Sequence, residues 1–248
     1  ERGPESDNFF FNTVKKSPNF VGGYMARLTP YENIEKGSNY DKAFQQKFSI
    51  DISDKRTNNA DRISDYRSLT MFPESYFNAQ KYVGSVNLDL HPIDGVLRTS
   101  NDLISYNNNY YPSLALRTYL LSNNTDKITL TNDYILVDKT NLKIPVLKTN
   151  GDIKHNIKFY KLLPNSEYSH ENYSAIDIIN SNRLIKQGKK PIIDPTEFKD
   201  KIVIVGANAM GVEDALETPI SLNHPGADIQ ATILDNFLRN DFIIKLSV

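Results

Sequence analysis

The chain has no cysteine. Disulfides, thiolate metal sites and a cysteine nucleophile are therefore excluded. The compartment is not fixed by this, because an extracytoplasmic domain can also do without cysteine. Tryptophan is missing too. No apolar run approaches the roughly 18 residues of a membrane span, and no signal peptide is visible. The first residue is Glu1, so the chain reads as a mature product, a trimmed chain or a fragment, and the lack of a targeting segment is weak evidence for a cytoplasmic location. An excess of one charge sign is also lacking: Lys and Arg number 29 against 30 Asp and Glu, a formal net charge of -1. Without a basic field, neither nucleic acid nor an anionic membrane surface is an expected partner.

What is present is ordinary for a globular protein with long polar loops: 39% hydrophobic and 24% charged residues. At 248 residues the chain can form one large α/β domain or two small ones. Residues 7–16 read as a helix, with Phe10 and Val14 four apart on one face. Phe20–Leu28 reads as a strand in which Gly22-Gly23 marks a bulge or a close backbone approach. Residues 31–70 show no clear period, and the expectation there is a polar loop or insertion. Pro73 suits the first turn of a helix to about Gln80. Tyr82–Leu90 alternates as a half-buried strand, and Pro92-Ile93-Asp94-Gly95 is a turn from which Val96–Thr99 can return. Helices are expected over Ser113–Ser122, Asn172–Asn180 and Ala227–Leu238. Short strands are expected at Tyr134–Val137, Ile144–Leu147, Ile153–Tyr160 and Ile202–Val205, with Asn150-Gly151 as a hairpin turn. Interspersed helices and strands, several joined by tight turns, predict an α/β fold: a mixed β-sheet with flanking helices.

The segment Lys201–Asn240 is the most informative. A buried-type strand leads to a turn with Gly206 and Gly211. A phosphate loop would need Lys and Ser or Thr directly after the last glycine, but Val212 and Glu213 follow. No dinucleotide fingerprint is present either. The four histidines, His91, His155, His170 and His224, show no zinc-helix spacing and read as surface or loop residues. No Gly-x-Ser-x-Gly elbow is present, and no carboxylate pair stands out. No catalytic, cofactor-binding or metal residue is therefore assigned. Asp94, Gly95 and Arg98 form a tight turn in which Arg98 either braces the turn or meets an anion. Asp214 reads as a lock on the Gly206–Gly211 loop, and Thr218-Pro219 as its stop.

Three stretches resemble the CHASE2 family of extracytoplasmic sensor domains. The first is Val83-Gly84-Ser85-Val86-Asn87 followed by Asp94-Gly95-Val96-Leu97-Arg98 and Pro112-Ser113-Leu114-Ala115. The second joins Ile144-Pro145, Asn150-Gly151 and Ile157–Tyr160 to Tyr173–Ile179. The third, and most specific, is Lys199–Ala207, then Asp214, Thr218-Pro219 and Pro225-Gly226-Ala227-Asp228-Ile229-Gln230-Ala231. Order and spacing agree from about residue 72 to the end. The strand-helix-strand with which the family usually opens has no counterpart here.

The resemblance implies a single sensor domain over residues 1–248, on the periplasmic side of a bacterial membrane. Flanking helices would anchor the parent. A homodimer would bind a small-molecule or environmental signal and control a cytoplasmic output, first of all an adenylate or guanylate cyclase, otherwise a kinase. It also implies that Asp94, Gly95, Arg98, Gly206, Asp214, Thr218, Pro219 and Gly226 are structural motif residues. Two other readings remain open at this point: an α/β hydrolase-like or carbohydrate-acting enzyme, and a soluble periplasmic binding protein.

Overall fold

The computed structural model describes residues 4–28, 38–57, 63–69, 72–149, 152–207 and 215–244. Two compact units are present: residues 1–158 with 233–248, and residues 159–232.

The first unit is mixed α/β. Its elements are α1 (Pro4–Lys16), β1 (Val21–Tyr24), β2 (Ala26–Arg27), α2 (Asn39–Phe48), β3 (Ile52–Asp54), β4 (Ser68–Leu69), α3 (Glu74–Ala79), β5 (Tyr82–Ser85) and β6 (Thr99–Ser100). They continue with β7 (Leu103–Tyr106), β8 (Asn109–Pro112), α4 (Leu114–Ser122), β9 (Ile128–Leu130), β10 (Tyr134–Val137), β11 (Leu142–Pro145), β12 (Leu147–Thr149) and β13 (Asp152–Asn156). The strands form several small sheets: β1 pairs in parallel with β5, and the largest sheet has the order β11-β10-β9-β3, with β3 parallel to β9.

Local chemistry explains the key elements. Ser38 caps α2, its Oγ accepting from the Asp41 N–H at 3.2 Å. Tyr40, Phe44 and Phe48 then recur every four residues on one helical face. Phe44 meets the rings of Tyr24, Phe72 and Tyr111 at 5.5, 6.3 and 5.7 Å, building an aromatic core. The buried Asp41 carboxylate accepts from Tyr106 Oη and Asn107 Nδ2, both at 2.7 Å. Ser113 caps α4 by accepting from the Leu116 N–H. Strand β5 passes so close to this helix start that a Cβ on Gly84 would sit 2.4 Å from Leu114 Cα.

Several expectations need correction. The supposed loop 31–70 carries α2, β3 and β4, and its Phe44, Phe48, Tyr66 and Leu69 are core residues. The aromatic spacing was hidden by polar neighbours. The strand at Tyr82 stops at Ser85 because the Asn87 amide takes both backbone hydrogen bonds of Ala26, at 2.8 and 2.7 Å. Thr99–Ser100 does not return on β5; β6 pairs with β13. The Asn150-Gly151 turn predicts that Ile144–Leu147 pairs with Ile153–Tyr160; only Leu147, in β12, does so, opposite Lys154 of β13, whereas Ile144 lies in β11 and pairs with β10. Asn150-Gly151, the expected turn between β12 and β13, lies outside the described residues.

The second unit contains α5 (Ala175–Lys186), a short 3₁₀ turn (Pro195–Phe198), the hairpin β14 (Ala215–Thr218) with β15 (Ser221–Pro225), and the first residues of α6 (Gly226–Arg239). From Ile233 onward α6 is counted with the first unit. The expected strand Ile202–Val205 is absent, and Ile202, Val203 and Val205 are 43%, 53% and 88% exposed. A β-branched run specifies strand propensity but no partner, and no described strand lies alongside it. Helix α5 starts and ends later than the predicted 172–180, running to Lys186.

Seven described non-glycine residues have positive φ, and all but Asp200 are asparagines. Asn107 and Asn108, at φ 49° and 60°, make the tight turn between β7 and β8. Gly95 and Gly188 are the described glycines with positive φ.

Candidate functional site

The densest polar arrangement in the second unit centres on Asp228, in the first turn of α6. The preceding β15 ends at Pro225, and Pro225-Gly226 converts strand to helix. His224 and Asp228 thus flank that junction. His224 Nε2 lies 2.7 Å from Asp228 Oδ2. His170 Nδ1 lies 2.8 Å from Asp228 Oδ1. The backbone N–H groups of Ser169 and His170 donate to the same carboxylate at 2.8 and 3.1 Å. An ionised carboxylate offers about four acceptor sites, so these donors saturate it.

The electrostatics follow. Burial is the largest single influence on Asp228 and by itself would raise its pKa. The hydrogen bonds from His170, His224 and the Ser169 N–H together outweigh it, holding the group well below the usual carboxylate range. A carboxylate only accepts, so His224 Nε2 carries a hydrogen. The opposite ring atom, Nδ1, lies 3.2 Å from Thr218 Oγ1. In the neutral ring Nδ1 accepts from that hydroxyl. Thr218 Oγ1 also accepts from the Ser221 N–H across the β14–β15 turn. The cluster therefore locks hairpin, helix start and the 169–170 loop to one carboxylate.

Both nitrogens of His224 are used inside the protein, and the residue is fully buried. The expectation of a surface or loop histidine is corrected here. His155 in the first unit is buried as well, with Nδ1 2.5 Å from Asp102 Oδ2 and its ring against Phe237. Ser100 Oγ donates to the other Asp102 oxygen at 3.0 Å. Sequence reasoning missed both pairs. For His224 the usable signal was the four-residue spacing to Asp228 across Pro225-Gly226; for His155, 53 positions from Asp102, no local signal exists.

The motif residues fall into separate places. Asp94 and Arg98 form a two-bond pair, Nη1 to Oδ1 and Nη2 to Oδ2, both 2.9 Å. Asp94 also accepts from the Val96 N–H at 3.1 Å, and Gly95 takes φ 70°. The Arg98 hydrogen bond, then that of Val96, pulls the Asp94 pKa down to about 2. Gly206 sits against α6, where an added Cβ would lie 2.5 Å from Ala227 Cβ. Thr218 ends β14, Pro219 follows in the turn, and Gly226 opens α6. Gly211 and Asp214 lie outside the described residues. Among the described residues no group of three or more His, Asp or Glu is placed to hold a metal ion. No described helix is long and apolar enough to cross a membrane.

A sequence profile of the family described as CHASE2 domain matches residues 4–247. The chain belongs to the CHASE2 domain family, a family of extracytoplasmic sensor domains. Searches of curated proteins and of solved structures gave no match.

Proposed function

We propose that this chain is the signal-sensing region of a bacterial transmembrane receptor, lying on the periplasmic side and controlling a cytoplasmic output module. The observation that carries this reading is the family match over residues 4–247. A nucleotide cyclase is the output proposed first, and the functional unit is a homodimer. The signal acts by binding one dimer arrangement better than the other, and a differential affinity of a few kcal/mol is enough to move most of the population. The motif residues Asp94, Arg98, Gly206, Thr218, Pro219 and Gly226 serve this role as bracing. Asp94 and Arg98 hold their own turn, and Thr218 holds its hairpin.

The test is made on the full-length parent in membranes. Cyclic nucleotide formation is measured for the intact receptor and for one in which residues 4–247 are deleted. A reporter active only outside the cytoplasm is inserted in the turn at Asn240. The expected result is an active reporter and an output rate that changes on deletion. An inactive reporter, or an output indifferent to the deletion, overturns the sensor reading. Absence of cyclic nucleotide with another output altered removes only the cyclase.

A further inference from the structure

A cavity of about 410 Å³ opens in the first unit, lined by Lys47–Asp51 at and just after the end of α2, by Lys81 just before β5 and Tyr82 at its start, and by Arg117, Asp126 and Lys127. Its size lies within the range of about 300–1,000 Å³ common for small-molecule sites. Arg117 on α4 is 4% exposed. Its Nη1 pairs with Asp126 at 2.9 Å and its Nη2 donates to the Phe48 carbonyl at 3.2 Å. Its Nε–H is buried and has no partner among the described residues. A buried donor without an acceptor is costly until one is brought to it.

Three ammonium groups share the same cavity. Lys47 Nζ lies 5.2 and 4.7 Å from the ring centres of Phe48 and Phe77 and donates to the Phe77 carbonyl. Lys81 Nζ lies 5.3 Å from the Tyr82 ring centre, and the Arg117 guanidinium stacks on that ring at 5.9 Å. Lys47, Lys81 and Lys127 form no ion pair with any described carboxylate. Opposing them are Asp51, also without an ion pair among the described residues, and Asp126, already committed to Arg117. Positive charge is therefore left over around a cavity whose other walls are Phe48, Ile50 and Tyr82.

We propose that this cavity binds a small polyanion bearing phosphate or carboxylate groups. Lys81 and Lys127 meet its charges on the exposed side, the Arg117 guanidinium adds its fixed positive charge to the wall, and Phe48, Ile50 and Tyr82 contact its carbon skeleton. Binding stands on this geometry; that the anion is the signal rests on the sensor reading.

The experiment is isothermal titration of the 248-residue chain at low salt with citrate and, separately, inorganic phosphate. The expected result is saturable binding of at least one, the stronger arm naming the preferred group. Replacing Lys81→Gln and Lys127→Gln together weakens it by about 100-fold, about tenfold for each lost charge. Both side chains are exposed, so folding is retained and is checked by circular dichroism. Lys186→Gln, in the other unit, leaves the affinity unchanged. Failure of both anions to bind saturably, or equal affinity in the double variant, overturns the proposal. Binding that is lost in the double variant while the parent's output ignores the anion sustains the site and overturns its role as signal receiver.

Discussion

In the first unit the largest fully buried side chains are Tyr106, Tyr111, Phe44 and Phe48; between residues 159 and 232 the buried side chains are mostly polar, with Thr218, His224 and Asp228 bonded together. Among described large apolar residues of that second stretch, Ile229 is buried, whereas Ile176, Ile179, Ile202, Val203 and Val205 are exposed. The difference separates two ways of holding a fold. Aromatic burial is non-directional and scales with area. A buried carboxylate with four donors is directional, tolerates no truncation and responds to protons. The second unit accordingly depends on a few groups, the first on many.

Asp228→Ala is the strongest way to break this contrast. It leaves His170, His224 and two backbone N–H groups without their shared acceptor, a loss expected to cost about 3–5 kcal/mol. Amide exchange should rise chiefly within residues 159–232, and an equal rise across the aromatic core would erase the distinction. Phe44→Ala is the matching change in the first unit, expected to cost about 3–5 kcal/mol by denaturant unfolding. Its effect should fall on α2, β7 and β8. Gly84→Ala comes next, at about 1–3 kcal/mol, because the new Cβ meets the backbone of Leu114; an unchanged midpoint would show that β5 and α4 can separate freely.

Acid should discriminate between the units. The folded pKa of Asp228 is depressed, so its contribution is complete above the ordinary carboxylate value of about 3.9. It is lost as the pH falls below that value toward the folded pKa. Exchange of the 215–232 amides should therefore accelerate below about pH 4, and Asp228→Asn should remove that response. Persistence of the response in the variant would assign it to other carboxylates. The smallest effect is expected at the exposed Asp94 turn. In Arg98→Gln, the Asp94 pKa read by NMR should rise from about 2 toward the ordinary value, without measurable loss of fold.

Elements with a local signature were legible in the sequence. Ser113 before a leucine-rich period marked α4, and the run after Pro225-Gly226 marked α6. The mixed α/β class followed from such elements. What was not legible depended on distance along the chain. Residues 31–70 looked featureless because the partners of Phe44 and Phe48 include Phe72, Phe77 and Tyr111. Ile202–Val205 looked like a buried strand because composition carries no information about its neighbour. Asp94 and Arg98 lie in one turn, so their pairing is within local reach of the sequence, although the sequence leaves open whether Arg98 braces the turn or meets an anion. The donors converging on Asp228 from residues 169 and 170 were out of reach, 58 or 59 positions away.

The turns built on asparagine have a practical consequence. Where many chains would place glycine at left-handed positions, this one places Asn107, Asn108, Asn124, Asn141, Asn165 and Asn240. Gly84 and Gly206, by contrast, stand where another atom leaves no room for a methyl group. Gly95 and Gly188 turn the chain in open space; apart from them, the turning asparagines and the crowded glycines form separate mutational alphabets. An alanine scan of the crowded glycines reports proximity, and a glycine scan of the asparagines reports the strain of turning. Read side by side, they would map contact and curvature of this chain independently.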